Sequence, residues 1–496
     1  MKNLLDSKTF RAIIPAATGG TALAAGNVIG ARNHFTAAIW LIVIAVGLYF
    51  YCVFALGERN WMDIRAVFSG AWIGTIGLAA LRLTDYQEPW QDKTWLLLGL
   101  AYGAFLLGAT AGIACGKRVM PAVGKKITDV SAGRYRLQLQ EGRLFWICVI
   151  TTLIGFVCFV ANVAIRGYIP CFVASGGNEY LDFYTKFYVF AVAATGISGL
   201  CYYCLVTQKN SWPRKFVLLL CIFYSTFAFP ILVVSRGTFV TSALSLTTVV
   251  FYLHRRRFLV LVTCLTVILG VYWASSQLRG YTDAQLQEFF EPAVLTKPST
   301  SQEVTLPPET PLTPETISPQ TVIPEEQSDF AFQLSPKMAF LYSYLTVSHD
   351  NFNEAVQNTI GYSYGARQFA PFNVILRIEK ISQMIDSSEY YLVRDHLNTT
   401  NLIGDFYYDF HGVGVVLCVL LWSFVFGIMQ ACCDVFNDPF SRMIMGNTMV
   451  PVALCFFATW LSVFSHWMHW GVVLLTALAA CVTRKKPADD LETNNF

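Results

Sequence analysis

Arg236 is the residue whose type and position most suggest chemistry: it stands in Val233-Val234-Ser235-Arg236-Gly237, between two apolar runs. A charged side chain costs about 2.5–3.5 kcal/mol at the centre of a membrane and less toward its interface, so an arginine kept here needs a partner. Two readings fit. The side chain snorkels to headgroups or pairs with Asp405 or Asp409, or its planar fork binds the oxygens of a lipid-linked phosphate. Arg279, in Gln277-Leu278-Arg279-Gly280-Tyr281, falls near the same level, as an interfacial anchor or a second phosphate ligand. Arg367, Arg377 and Arg394 each read alone as solvated or ion-paired, but together they extend this into a basic set facing the membrane. For proton transfer, His349 and His396 stand beside Asp350 and Asp395, and imidazole titrates near working pH. Asp405 and Asp409 are four apart, share a helix face and repel unless a cation lies nearby. His411, His466 and His469 also fall toward the same side. The spacing of the last two suits a metal on a helix, but no third ligand is evident, so packing in an aromatic belt is expected.

The elements that must position these residues are transmembrane helices. The 496 residues are 55% hydrophobic and 14% charged, beyond what a soluble domain of this length carries. A net charge of +3 is too small to argue for nucleic acid. The 14 cysteines are scattered without repeated CxxC spacing and read as small buried apolar groups. A span needs about 20 mostly apolar residues. Twelve stretches qualify: about 12–30, 36–57, 64–82, 94–115, 144–165, 186–207, 216–235, 237–253, 258–275, 403–430, 441–461 and 466–483. The expected fold is therefore an all-α polytopic membrane protein of about 12 transmembrane helices with one large external loop. Residues 1–275 hold spans one to nine, 276–402 the loop, 403–483 spans ten to twelve and 484–496 a tail.

Basic residues set the orientation. Lys117, Arg118, Lys125, Lys126, Arg134, Arg136 and Arg143 crowd one loop. The amino terminus, Lys209 to Lys215, Arg255 to Arg257 and Arg484 to Lys486 fall on the same side, so both termini are expected to be cytoplasmic. No cleavable signal is expected, because the first apolar stretch leads into further spans. Within the external loop, residues 291–329 carry eight prolines with Thr, Ser and Glu, a composition expected to be disordered and dispensable for chemistry. From Met338 onward an amphipathic helix at the outer interface is expected.

Ser235-Arg236-Gly237 at a span end, the external segment with His349-Asp350 and Tyr362 to Pro371, and Asn401 to Gly414 leading into an apolar run resemble Wzy-type O-antigen and oligosaccharide repeat-unit polymerases. The resemblance covers roughly 227–429, and the amino-terminal half matches in topology only. The insertion at 291–329 departs from the compact loop of such proteins. The resemblance implies a metal-independent glycosyltransferase of the bacterial cytoplasmic (inner) membrane. It would move a glycan from undecaprenyl diphosphate onto a lipid-linked repeat unit, with no cofactor, alongside a flippase and a chain-length regulator. Under it, Arg236 and Arg279, helped by Arg367, Arg377 or Arg394, would neutralise the diphosphate, and His349, His396 or Asp405 would serve the acceptor proton. Competing readings are a flippase or other transporter, and another polyprenyl-phosphate-dependent transferase or ligase using Asp85 or Glu88. Internal repeats, a frequent mark of transporters, are not evident.

Overall fold

The computed structural model describes residues 7–133, 135–139, 141–173, 183, 185–254, 258–266, 270, 334–386, 390–394 and 397–485. Arg279, His396 and the 291–329 stretch lie outside them. The described chain is helical apart from one short ribbon. The helices before the external segment are α1 (Ser7–Gly30), α2 (His34–Tyr51), α3 (Ile64–Ala79), α4 (Asp92–Gly133), α5 (Glu141–Arg166), α6 (Pro170–Val173), α7 (Lys186–Thr195), α8 (Ser198–Thr207), α9 (Trp212–Phe223), α10 (Phe229–Leu232) and α11 (Arg236–Leu253). The external segment contributes α12 (Pro336–Asn358), α13 (Ala366–Leu376) and α14 (Glu379–Asp386). α15 (Gly404–Phe436), α16 (Pro439–Ala453) and α17 (Phe464–Ala480) follow. Strands β1 (Tyr135–Leu139) and β2 (Cys481–Lys485) pair antiparallel, so two stretches expected on the cytoplasmic side lie together.

Seven helices of the described residues are long and apolar enough to cross a membrane: Arg11–Gly30, His34–Leu56, Asp92–Ala122, Gly142–Arg166, Lys186–Thr207, Trp212–Leu232 and Gly404–Phe436. Of the other candidate spans, 258–275 lies partly outside the described residues, and the rest are shorter or more polar. α3 has 16 residues, α16 ends at Ala453, and α11 carries Thr238, Thr241, Ser242, Ser245, Thr247 and Thr248, all buried. The apolar pattern is turned outward. α2 buries Ala37, Ala38, Leu41, Ala45 and Leu48 while Phe35, Ile39, Val43 and Val46 are exposed. That suits a lipid solvent, where helices associate through small residues rather than by hiding large ones.

Close helix approach builds the core. Gly108, Gly112 and Gly116 on α4 are four apart, and a Cβ added at Gly112 would sit 2.0 Å from the Phe424 carbonyl oxygen of α15. Only a residue without a side chain admits that contact. One apolar cluster joins α1–α4, α12, α15 and α16. A second joins α5, α8, α9, α11, α16 and α17. α16 bridges them, with Met443 in the second and Met445 and Met449 in the first. Near the ends of α3 and α15, Asp63 caps α3, pairs with Arg65 at 2.7 Å and accepts a hydrogen bond from Gln430 at 3.0 Å. The buried charges there are thus paired.

Helix α12 departs from the expected interfacial amphipath. Its polar residues Ser348, His349, Asp350, Asn351 and Asn353 are buried along with Phe352 and Val356. Each of these polar side chains meets a fixed hydrogen-bonding partner on α3, α4, the 80–91 loop or the segments around 397–401 and 456. A buried polar group is tolerable on those terms.

Candidate functional site

Arg236 opens α11. Ser235 caps the helix by accepting from the Thr238 backbone N–H at 3.3 Å, and Val234 before it holds φ at +53°. A β-branched residue in the left-handed region is strained, and such strain collects at functional positions. Arg236 is 6% exposed, with its guanidinium carbon 5.3 Å from the Phe340 ring centre and 5.4 Å from that of Tyr344, both on α12. Ring faces orient a guanidinium without removing its formal charge. The helix N-terminus adds its own positive end of the dipole. The guanidinium and the helix N-terminus thus both bring positive charge to this end of α11.

Arg367, on the first turn of α13, is buried between two rings, with centroids 3.8 Å away at Tyr390 and 4.4 Å away at Tyr408. Its guanidinium approaches Asp405 at 3.9 Å, and Tyr390 donates to the same carboxylate at 2.7 Å. Asp409, one turn along, accepts from Ser363 Oγ at 2.7 Å and from the backbone N–H groups of Arg367 and Gln368 at 3.2 and 3.1 Å. It caps α13 from a different helix. The repulsion expected between Asp405 and Asp409 is thus offset by a guanidinium at one carboxylate and a helix N-terminus at the other. Burial beside Asp405 raises the Tyr390 hydroxyl above its ordinary range, so it stays a donor. α15 breaks at His411 (φ +52°, ψ −147°), which sets the short segment bearing both aspartates apart from the long span.

His349 is sealed. Its Nε2 lies 3.0 Å from Thr75 Oγ1 and its Nδ1 3.2 Å from Asn401 Nδ2. The Asn401 amide donates to Nδ1, which leaves Nε2–H to donate to Thr75. Burial lowers its pKa to about 3, so the ring is neutral. Asp350 accepts from Trp90 Nε1 at 2.8 Å and Gln87 Nε2 at 3.1 Å. Burial pushes it up to about 7 despite these donors and Arg82. The pair sequence reasoning offered for proton transfer therefore faces two separate sets of protein partners and fastens α12 in place.

Arg394 reaches the 80–91 loop, pairing with Asp85 at 3.1 Å. Arg377 closes α13 as its exposed left-handed C-cap. The structure thus gathers Arg367 with Asp405, and Arg236 with α12, but sets Arg377 and Arg394 elsewhere. The 454–463 connection links the first two: Phe457 stacks on Tyr344 at 5.7 Å, and Ser462 accepts from Gln368 at 3.5 Å. Sequence reasoning missed Tyr344, Tyr390, Tyr408, Ser363 and Asn401 as partners. Their contacts reach across the fold, and no local spacing signals them. No family model matches the chain, and no curated protein or solved structure is similar to it.

Proposed function

We propose that the protein is a membrane glycosyltransferase that polymerises lipid-linked oligosaccharide repeat units. It takes the glycan from a polyprenyl diphosphate carrier and joins it to an incoming repeat unit. In this reading the chain crosses the bacterial cytoplasmic membrane about twelve times, with both termini cytoplasmic and the site at the outer face. The observation that carries it is Arg236: a buried guanidinium at a helix N-terminus, behind a strained Val234 and against two ring faces. The departing diphosphate develops negative charge as the anomeric bond breaks, and a fixed cation stabilises that charge most where water is excluded. The donor arrives activated by its own diphosphate, so the reaction calls for no further cofactor. Arg367, paired with Asp405 and clamped between Tyr390 and Tyr408, holds the start of α13 against the start of α15.

The test is incubation of purified protein with a lipid-linked repeat unit, read as a ladder on a gel. Wild-type protein forms ladders, and Arg236→Ala, still inserted and folded, loses rate by about 10²–10³-fold. Arg236→Lys recovers only part of it, because a point charge lacks the bidentate fork. Normal ladders from Arg236→Ala refute the role of this residue, and no ladder from wild type refutes the activity. Repeat units trapped at the inner face of cells carrying the variant would show a flippase instead.

A further inference from the structure

The proposed transfer needs a group to take the proton of the acceptor hydroxyl, and the described histidines differ sharply in what their ring nitrogens already do. His349 is engaged through both nitrogens, His411 through Nε2 to the Gly361 carbonyl at 3.0 Å, and His469 through Nε2 to the Val192 carbonyl at 3.0 Å. His466 is different. It is 2% exposed, and neither Nδ1 nor Nε2 meets a hydrogen-bonding partner among the described residues. Trp470, one turn along the same face of α17, has its Nε1–H in the same condition, and the two rings lie 4.7 Å apart. Three buried polar ring atoms without protein partners in one place are costly unless something polar binds there.

We propose that His466 and Trp470 form the acceptor subsite, in which a sugar hydroxyl accepts from the Trp470 indole N–H and donates to a ring nitrogen of His466. This rests on the transferase reading above. The indole N–H and the acceptor nitrogen of the imidazole together complement a hydroxyl, which both accepts and donates, and the remaining imidazole N–H is left to donate to a second sugar oxygen. An ordered water would satisfy the same atoms, so the experiment must separate the two. The place also fits. His466 adjoins Trp460 at 6.5 Å, Trp460 adjoins Phe457 at 6.3 Å, and Phe457 stacks on Tyr344, against which Arg236 lies. A run of neighbouring rings thus leads from the subsite to Arg236.

In the transfer, His466 takes the hydroxyl proton as the oxygen forms its bond to the anomeric carbon. The bond from that carbon to the diphosphate breaks, and its electron pair leaves with the diphosphate toward Arg236. The imidazolium then returns its proton to solvent. His469, whose ring lies 6.5 Å away, is the titratable group acting on His466 among the described residues. α7 presents the Val192 carbonyl and Thr195 to His469, and α15 presents Phe426 to Trp470, none of which titrates.

The experiment measures ladder formation against pH for wild type, His466→Gln, Trp470→Phe and His349→Gln, with thermal unfolding as the check on folding. Wild type shows a rate that rises with pH through one ionisation. His466→Gln is slower by about 10²–10⁴-fold and loses that rise. Trp470→Phe keeps the pH profile but raises the acceptor concentration needed for half-maximal rate about tenfold. His349→Gln keeps both the profile and the acceptor dependence, whatever its stability. Unchanged pH dependence in His466→Gln overturns the proposal, as does unchanged acceptor dependence in Trp470→Phe. If both variants only lower the unfolding midpoint, a buried water is the occupant and the proposal falls while the transferase reading stands. Absence of ladders from wild type removes both.

Discussion

At the scale of residues, neighbours in sequence answer to different surroundings. His349 and Asp350 are both buried and both shifted toward neutrality, by the same desolvation acting on opposite charges. Their effects on stability run in opposite directions. Asp350 titrates at about 7 when folded against 3.8 as its ordinary value. Between these the folded state binds the extra proton, and stability falls as pH rises. His349 titrates at about 3 against 6.5. Between these the unfolded state binds the extra proton, and stability rises with pH. From about pH 4 to 6.5 the two slopes oppose, each at most about 1.4 kcal/mol per pH unit. Asp350→Asn therefore gains on wild type as pH climbs from about 4 to 7, whereas His349→Gln loses on it as pH climbs from about 3 to 6.5. Unfolding in detergent across that range, variant against wild type, reads both signs; parallel curves would show that these shifts do not govern stability.

At the scale of elements, α13 depends on a cap that is not its own. Gly365 precedes the helix without a capping side chain, and Asp409 supplies the carboxylate from α15. Loss of a helix cap costs about 0.5–2 kcal/mol. Asp409→Ala should cost about that much. Amide exchange should quicken across α13 while α4 stays protected, and Asp409→Asn should restore most of the protection. Uniform loosening of the whole protein would show that Asp409 does more than cap. α12 teaches a related point. Its alternation of apolar and polar residues reads as an interfacial amphipath, but its polar face is a set of directed hydrogen bonds to α3, α4 and the segment before α15. Periodicity reports that a helix has two faces, and it is silent on whether the polar face meets water or protein.

At the scale of the whole molecule, the contact of α4 with α15 joins the halves of the chain that flank the external segment. It rests on backbone approaching backbone. Gly112→Ala places a methyl group 2.0 Å from the Phe424 carbonyl, where neither helix backbone can yield without separating. The variant should lose about 1–3 kcal/mol, seen as a lower unfolding midpoint. An unchanged midpoint would mean that the helices are less closely packed than described. Gly108, Gly112 and Gly116 drew no notice in the sequence; their role as a small-residue packing stripe shows only once α15 lies against α4.

The sequence by itself determined the class, because apolar runs of span length follow from composition; that small residues face inward and large ones outward was seen only in the fold. It also singled out Arg236, because charge in an apolar setting is conspicuous in one dimension. Which charges meet was decided by the tertiary structure alone. Asp405 pairs with Arg367 and not with Arg236, His349 is locked between Thr75 and Asn401, and the ring nitrogens of His466 and Trp470 meet no hydrogen-bonding partner among the described residues. The physical reason is range: a hydrogen bond or ion pair acts over a few ångströms in space, and the fold brings together partners such as Thr75 and His349, 274 residues apart in the chain.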